Sequence, residues 1–138
     1  MAATKGSDYF AFDPATASHE KGRFVGIDSD LPVVEFRKGL YFRPLLGKNL
    51  LVNFVRYEPH TEAPLHVHSE EQVTFVLEGE FDFEVAGEKR VMRPGDAVWI
   101  PSMVPHAART GVKTCYQVDV FNPPRKALLD LMSRDEPK

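Results

Sequence analysis

The chain has 138 residues, a net charge of −3 and an isoelectric point near 5.9, so one domain is expected and no basic nucleic-acid-binding face is implied. Its single cysteine, Cys115, rules out an intrachain disulfide, and no apolar run approaches the roughly 20 residues that a spanning helix needs. The opening stretch MAATKGSDYF lacks the apolar segment of a secretory signal, so a cytoplasmic protein with no membrane partner is expected.

Residues 1–30 show no clear period, yet they carry Tyr9, Phe10, Phe12, Phe24, Val25 and Ile27 among polar residues. So many aromatics argue against a disordered tail and for an ordered N-terminal arm, lying on the main body or on a second subunit. His19, within the arm, reads as a solvent histidine. From Leu31 strands dominate. Val33 to Phe36 is a short strand, Gly39 to Pro44 a second, and Leu50 to Tyr57 a third after the Gly47-Lys48-Asn49 turn. Pro59 to Pro64 is a connecting loop, and His60 within it reads as an exposed loop residue. His66 and His68 follow on a strand, then Val73 to Leu77, then a turn at Glu78-Gly79-Glu80. Phe81 to Val85 alternates apolar and acidic residues, Ala86 to Lys89 turns, and Val91–Met92 resumes the ladder. Pro94-Gly95-Asp96 is a turn signal, Ala97 to Ile100 a short buried strand, and Pro101 to Pro105 a tight loop that delivers His106. Lys113 to Phe121 is the last long strand. Asn122-Pro123-Pro124 stops it, because proline cannot donate to a ladder. Arg125 to Met132 reads as a short helix with Leu128, Leu131 and Met132 on one side. Many short strands with Gly/Pro turns and one helix predict an all-β jelly roll. Its expected divisions are an arm over 1–30, a barrel over 31–123, and a C-terminal helix and tail over 124–138.

Strand parity adds a constraint. If Gln72 faces the interior, so do Thr74 and Val76, which turns Val73, Phe75 and Leu77 outward. If Asp119 and Phe121 face inward, Tyr116, Val118 and Val120 face outward. Apolar residues on both faces predict a cover over the outer one, by a second subunit in a homodimer, by the arm, or by both.

Two groups of residues carry chemistry. His66 and His68 alternate on one strand, which places them on one face about 6–7 Å apart. His106 arrives 38 residues after His68, just past a proline-punctuated turn. Three imidazoles in that arrangement suit one divalent transition metal: Zn, Ni, Fe, Cu or Co. The second group closes the last strand: Asp119 and Phe121 share a strand face, and Arg125 lies just beyond the proline stop. Near a dication an aspartate can move a proton, an arginine can grip a carboxylate in bidentate fashion, and a phenylalanine can wall a ring.

These residues resemble the cupin superfamily. Its first motif is matched by His66-x-His68, Gln72 and Gly79, and its second by Pro94-Gly95-Asp96, Pro101 and His106. Three positions depart from the pattern: Gln72 stands at the usual glutamate ligand, Met103 at the usual glycine, and Thr110 at the usual asparagine. The resemblance implies a cupin-type jelly-roll barrel, a double-stranded β-helix, with Gln72 as fourth metal ligand. Glu70 and Glu71 are the rivals for that place, and Mn joins the metals in question. The full pattern, with Asp-x-Phe-x-x-x-Arg at the end, is similar to the cupins that linearise unsaturated uronates from pectin and alginate breakdown. It implies metal ligands His66, His68, Gln72 and His106, an acid/base at Asp119, a pocket wall at Phe121 and a carboxylate grip at Arg125. Arg43 reads as structural rather than as a cavity residue.

Three functions stand against one another. The first is a metal-dependent isomerase or lyase that opens or tautomerises a small oxygen-rich acid. The second is a non-haem metal dioxygenase of an enolic or diketone substrate. The third is a small-molecule-binding module without turnover.

Overall fold

A computed structural model describes residues 9–134. The first eight residues of the expected arm and the last four of the expected tail lie outside the described residues. Among the described residues there are ten strands: β1 (Val34–Arg37), β2 (Leu40–Leu46), β3 (Leu51–Tyr57), β4 (Glu62–His66), β5 (Glu71–Glu78), β6 (Phe81–Val85), β7 (Glu88–Met92), β8 (Ala97–Ile100), β9 (His106–Thr110) and β10 (Cys115–Asn122). Two helices flank them, α1 (Ile27–Asp30) and α2 (Lys126–Arg134). The strands form a six-stranded sheet in the order β1-β2-β3-β10-β5-β8 and a four-stranded sheet in the order β4-β9-β6-β7. All neighbours are antiparallel. Two such sheets face to face are the expected jelly roll. No helix among the described residues is long and apolar enough to cross a membrane.

Side chains of the two inner faces fill one end of the space between the sheets. Phe81, Val55, Ile100 and Cys115 are fully closed off there, with Tyr57 set edge-on against Phe81. Each large apolar side chain buried in this way contributes about 1.5–3 kcal/mol. Gly79 sits at this end with φ +83, and a Cβ there would lie 2.5 Å from Cys115 Sγ. Only glycine meets both demands. The other end stays open, and α2 covers part of it by setting Leu128 on Leu51 and Phe121.

The predicted parity holds along β5, where Gln72, Thr74 and Val76 are buried and Val73, Phe75 and Leu77 are exposed. It holds along β10 for Gln117, Asp119 and Phe121. Val118 differs, being buried although it lies on the outer face. The arm differs from one expectation: Tyr9, Phe10, Phe12 and Phe24 are exposed, so these aromatics do not pack on the body of their own chain. Arg43 takes the structural role expected of it. Its guanidinium donates to the carbonyls of Asp28 and Leu31 and ties α1 to β2.

Candidate metal centre and cavity

The strand that was expected to hold both histidines ends at His66, and His68 stands in the turn beyond it. Two features fix that turn. Met103 N donates to the His68 carbonyl at 2.8 Å, and Met103 takes φ 64, the left-handed conformation that favours the glycine usual at this place. β9 pairs with β4 so that His106 lies directly opposite His66. The three imidazoles therefore meet. Their ligating nitrogens lie within 4.8 Å of one another.

The hydrogen bonds of these rings decide which nitrogens face inward. His66 Nδ1 donates to the Pro64 carbonyl at 2.7 Å, His68 Nδ1 to Glu70 O at 3.0 Å, and His106 Nδ1 to Val104 O at 2.8 Å. A ring that donates from Nδ1 carries its lone pair on Nε2. His68 Nε2 and His106 Nε2 stand only 3.2 Å apart, two acceptors with no proton of their own to share. Burial holds the His106 imidazolium down to a pKa of about 4, and burial likewise lowers His68. Three rings, each oriented by a backbone carbonyl and brought together on one point, suit a divalent transition metal.

The rivals for the fourth place separate cleanly. Gln72 turns its Oε1 to within 3.0 Å of His68 Nε2. Glu71 points away and accepts from the Trp99 indole at 2.9 Å. Glu70 is buried but engaged elsewhere: its carboxylate accepts from Lys126 N at 2.7 Å, at the start of α2, and lies 3.5 Å from Arg125 Nη1. Burial alone would raise the Glu70 pKa, but the Lys126 amide, its own backbone amide, Arg125 and His68 outweigh it and hold the carboxyl below its usual value.

A cavity of about 270 Å³ opens beside the triad. Phe36 and Phe42, stacked at 4.9 Å, wall one side, and Phe121, edge-on to His68 at 5.7 Å, walls another. Arg125, Asp119 and Gln72 all line it. Asp119 is held by one oxygen. Thr74 Oγ1 donates to its Oδ1 at 2.6 Å, Gln117 Nε2 at 3.0 Å and Gln72 Nε2 at 3.3 Å. Burial raises the Asp119 pKa to about 6 against the opposing pull of these three donors and of Arg125. Gln72 thus spans the two parts of the site, its oxygen toward His68 and its nitrogen toward Asp119 and Thr74.

All seven residues singled out from the sequence come together here. His60 stays exposed in its loop, as expected. Three polar residues of the site were not singled out: Asn53, Gln117 and Tyr57. A signal for them existed, since Asn53 and Tyr57 share the inward parity of Leu51 and Val55, and Gln117 shares that of Asp119. Thr110, at the usual asparagine, is buried. Its hydroxyl donates to the Glu58 carbonyl at 2.7 Å and accepts from Thr61 N at 3.1 Å.

Comparison with known proteins agrees with this geometry. The cupin-domain profile matches residues 53–120. An RmlC-like cupin from Shewanella frigidimarina superposes with a TM-score of 0.72 at 26% identity, over 78% of this chain and 96% of that one. KdgF from Halomonas sp. gives a TM-score of 0.69 at 25% identity, over 74% of this chain and 96% of that one. Among curated proteins, dimethylsulfoniopropionate lyase DddQ of Ruegeria pomeroyi is 46% identical over 48 residues, 34% of this chain. The match spans only 24% of the length of that lyase. With two facing antiparallel sheets, the histidine triad and these matches in place, the chain belongs to the cupin superfamily.

Proposed function

We propose that the protein is a metal-dependent isomerase or lyase that opens and tautomerises an unsaturated sugar acid. The observation that carries this reading is Asp119, a buried carboxylate in the cavity, anchored through Oδ1 alone and linked by Gln72 to the histidine triad. The other oxygen, Oδ2, is then available to a ligand. His66, His68, His106 and Gln72 would hold the metal. When bound, it supplies Lewis acidity toward a substrate oxygen.

The residues of the chain account for the rest. Arg125 lines the cavity and suits the substrate carboxylate, shared with Glu70 at 3.5 Å. Phe36, Phe42 and Phe121 flank the ring and exclude water. Asp119 takes the proton of the anomeric hydroxyl through Oδ2. The bond between the anomeric carbon and the ring oxygen breaks, the anomeric carbon becomes an aldehyde, and the ring oxygen becomes an enolate oxygen. Asp119 returns the same proton to the alkene carbon two bonds from that oxygen, which gives the keto acid. One proton changes place and no atom or electron is gained or lost. A carboxyl group with a pKa near 6 suits both halves of such a transfer.

A second reading has an observation of its own, the local likeness to a lyase of dimethylsulfoniopropionate. Elimination from an acid of that kind begins instead with removal of a proton from carbon, which Asp119 would accept. The test is turnover of a 4,5-unsaturated uronate and of dimethylsulfoniopropionate by zinc-, nickel-, iron- and manganese-loaded protein, with and without oxygen. The expected result is consumption of the uronate without oxygen, lost in Asp119→Asn while metal content stays at the parent level. Turnover of only the sulfonium acid would favour the second reading. Full activity in Asp119→Asn would remove Asp119 as the proton carrier, and a strict need for oxygen would restore the dioxygenase alternative. No turnover on any metal would leave a binding module.

A further inference from the structure

Three buried polar atoms, in two residues that line the cavity, find no protein partner among the described residues: Asn53 Nδ2, Asn53 Oδ1 and Gln117 Oε1. Asn53 is 0% exposed and Gln117 3% exposed, and both line the cavity. A buried amide left unpaired bears its full desolvation cost, so nearly every buried polar group in a folded protein is paired. Packing alone gives no reason for these side chains. The inward positions on either side of Asn53 are Leu51 and Val55, and a leucine in its place would fill a similar volume with nothing to satisfy.

Their position supplies a reason. Asn53 is the register partner of Asp119 across β3 and β10, and Asp119 is in turn opposite Thr74 on β5. Gln117 lies two residues from Asp119 on the same face, and its Nε2 already donates to Asp119 Oδ1. The unpaired groups therefore flank the carboxylate. They comprise one donor nitrogen and two acceptor oxygens. A carboxylate brings only acceptors and would face two carbonyl oxygens, whereas a sulfonium or hydrocarbon brings no hydrogen-bonding group. Hydroxyl groups bring both a proton and a lone pair.

We infer that Asn53 and Gln117 form a hydroxyl-recognition subsite beside Asp119, which takes the polyhydroxylated portion of an acid whose carboxylate lies toward Arg125. The inference rests on the sugar-acid reading above and names what selects that substrate. A site built to pair a hydroxyl rejects an analogue without one strongly, because its own amides are then left unpaired again.

The test is calorimetric titration of zinc-loaded protein with D-galacturonate and with cyclohexanecarboxylate, which keeps a six-membered ring and the carboxylate but no hydroxyl. The parent protein is expected to bind galacturonate at least tenfold more tightly. Asn53→Leu and the smaller Asn53→Ala should each erase that margin while binding of cyclohexanecarboxylate changes by less than about twofold. Asn53→Leu without ligand should melt no lower than the parent, because it removes two unpaired groups and leaves no void. A margin that survives in both variants overturns the subsite and leaves the sugar-acid reading standing. A parent with no margin overturns both. An Asn53→Leu protein that melts well below the parent also overturns the subsite, since Asn53 would then be holding the barrel together.

Discussion

Asp119 is costly to keep ionised where it stands. Burial raises its pKa from 3.8 to about 6, so the folded state binds a proton more tightly than the unfolded chain does. Stability then falls as pH rises from about 4 to about 6 and stays low above. In metal-free protein Asp119→Asn is expected to be more stable than the parent at pH 8, by up to about 3 kcal/mol, with the gain gone by pH 4. Urea unfolding at the two pH values measures it, and a gain independent of pH would show that the proton is not its cause. Much of this site is visible in the residues themselves. The two histidines around Val67, together with His106, stand at spacings that suit one metal ion, while Gln72, Asp119 and Arg125 joined them through the resemblance to known cupins. Asn53 and Gln117 are harder to see. An amide on the inward side of a strand signals function only once the inward side is known to face a cavity and the amide is known to lack a partner.

Among the elements, α2 depends on a residue far from it in sequence. Glu70, in the turn after His68, caps the helix at Lys126 N and pairs with Arg125. A carboxylate at a helix N-terminus satisfies a free amide and complements the dipole. Glu70→Ala is expected to destabilise the helix by about 1–2 kcal/mol. Amide exchange at Leu128 to Met132 should quicken more than exchange in β6, and equal effects would place the role of Glu70 elsewhere. At the closed end, Gly79→Ala forces a methyl group into Cys115 at a positive φ, and a loss of more than about 1 kcal/mol in thermal unfolding is expected. Most strand segments and turn sites were legible because Gly and Pro punctuate them. The start of β4 was not. Pro59 and Pro64 bracket Glu62 and Ala63 as a loop would, yet the register shifts between Ala63 and His66, so Pro64 sits at an irregularity where its missing N–H costs no ladder bond. His68 falls outside the strand for a tertiary reason, the Met103 amide that holds its carbonyl.

At the scale of the whole molecule, the outer face of the larger sheet displays Val73, Phe75, Leu77, Trp99 and Tyr116 as one apolar patch. Val73 stands opposite Trp99, so the patch is continuous across β5 and β8. The arm holds Tyr9, Phe10, Phe12 and Phe24 clear of its own body. Patch and arm together suit a second copy of the chain. Light scattering at micromolar concentration is expected to give a dimer, and Phe75→Lys to shift it toward monomer; a monomeric parent would refute the pairing. Parity along β5 and β10 made this face readable in advance. What lies over it was not readable, because no periodicity records where an arm goes.

The three imidazoles are aimed by carbonyls two residues away in their own chain, at Pro64, Glu70 and Val104. Aiming of this kind, set within the chain itself, would spare ion capture the ring rotations that it otherwise demands. Zinc uptake by the metal-free protein should therefore be a single kinetic phase whose rate rises linearly with zinc concentration. A slow, concentration-independent phase in stopped-flow traces would mean that the rings turn after the ion arrives.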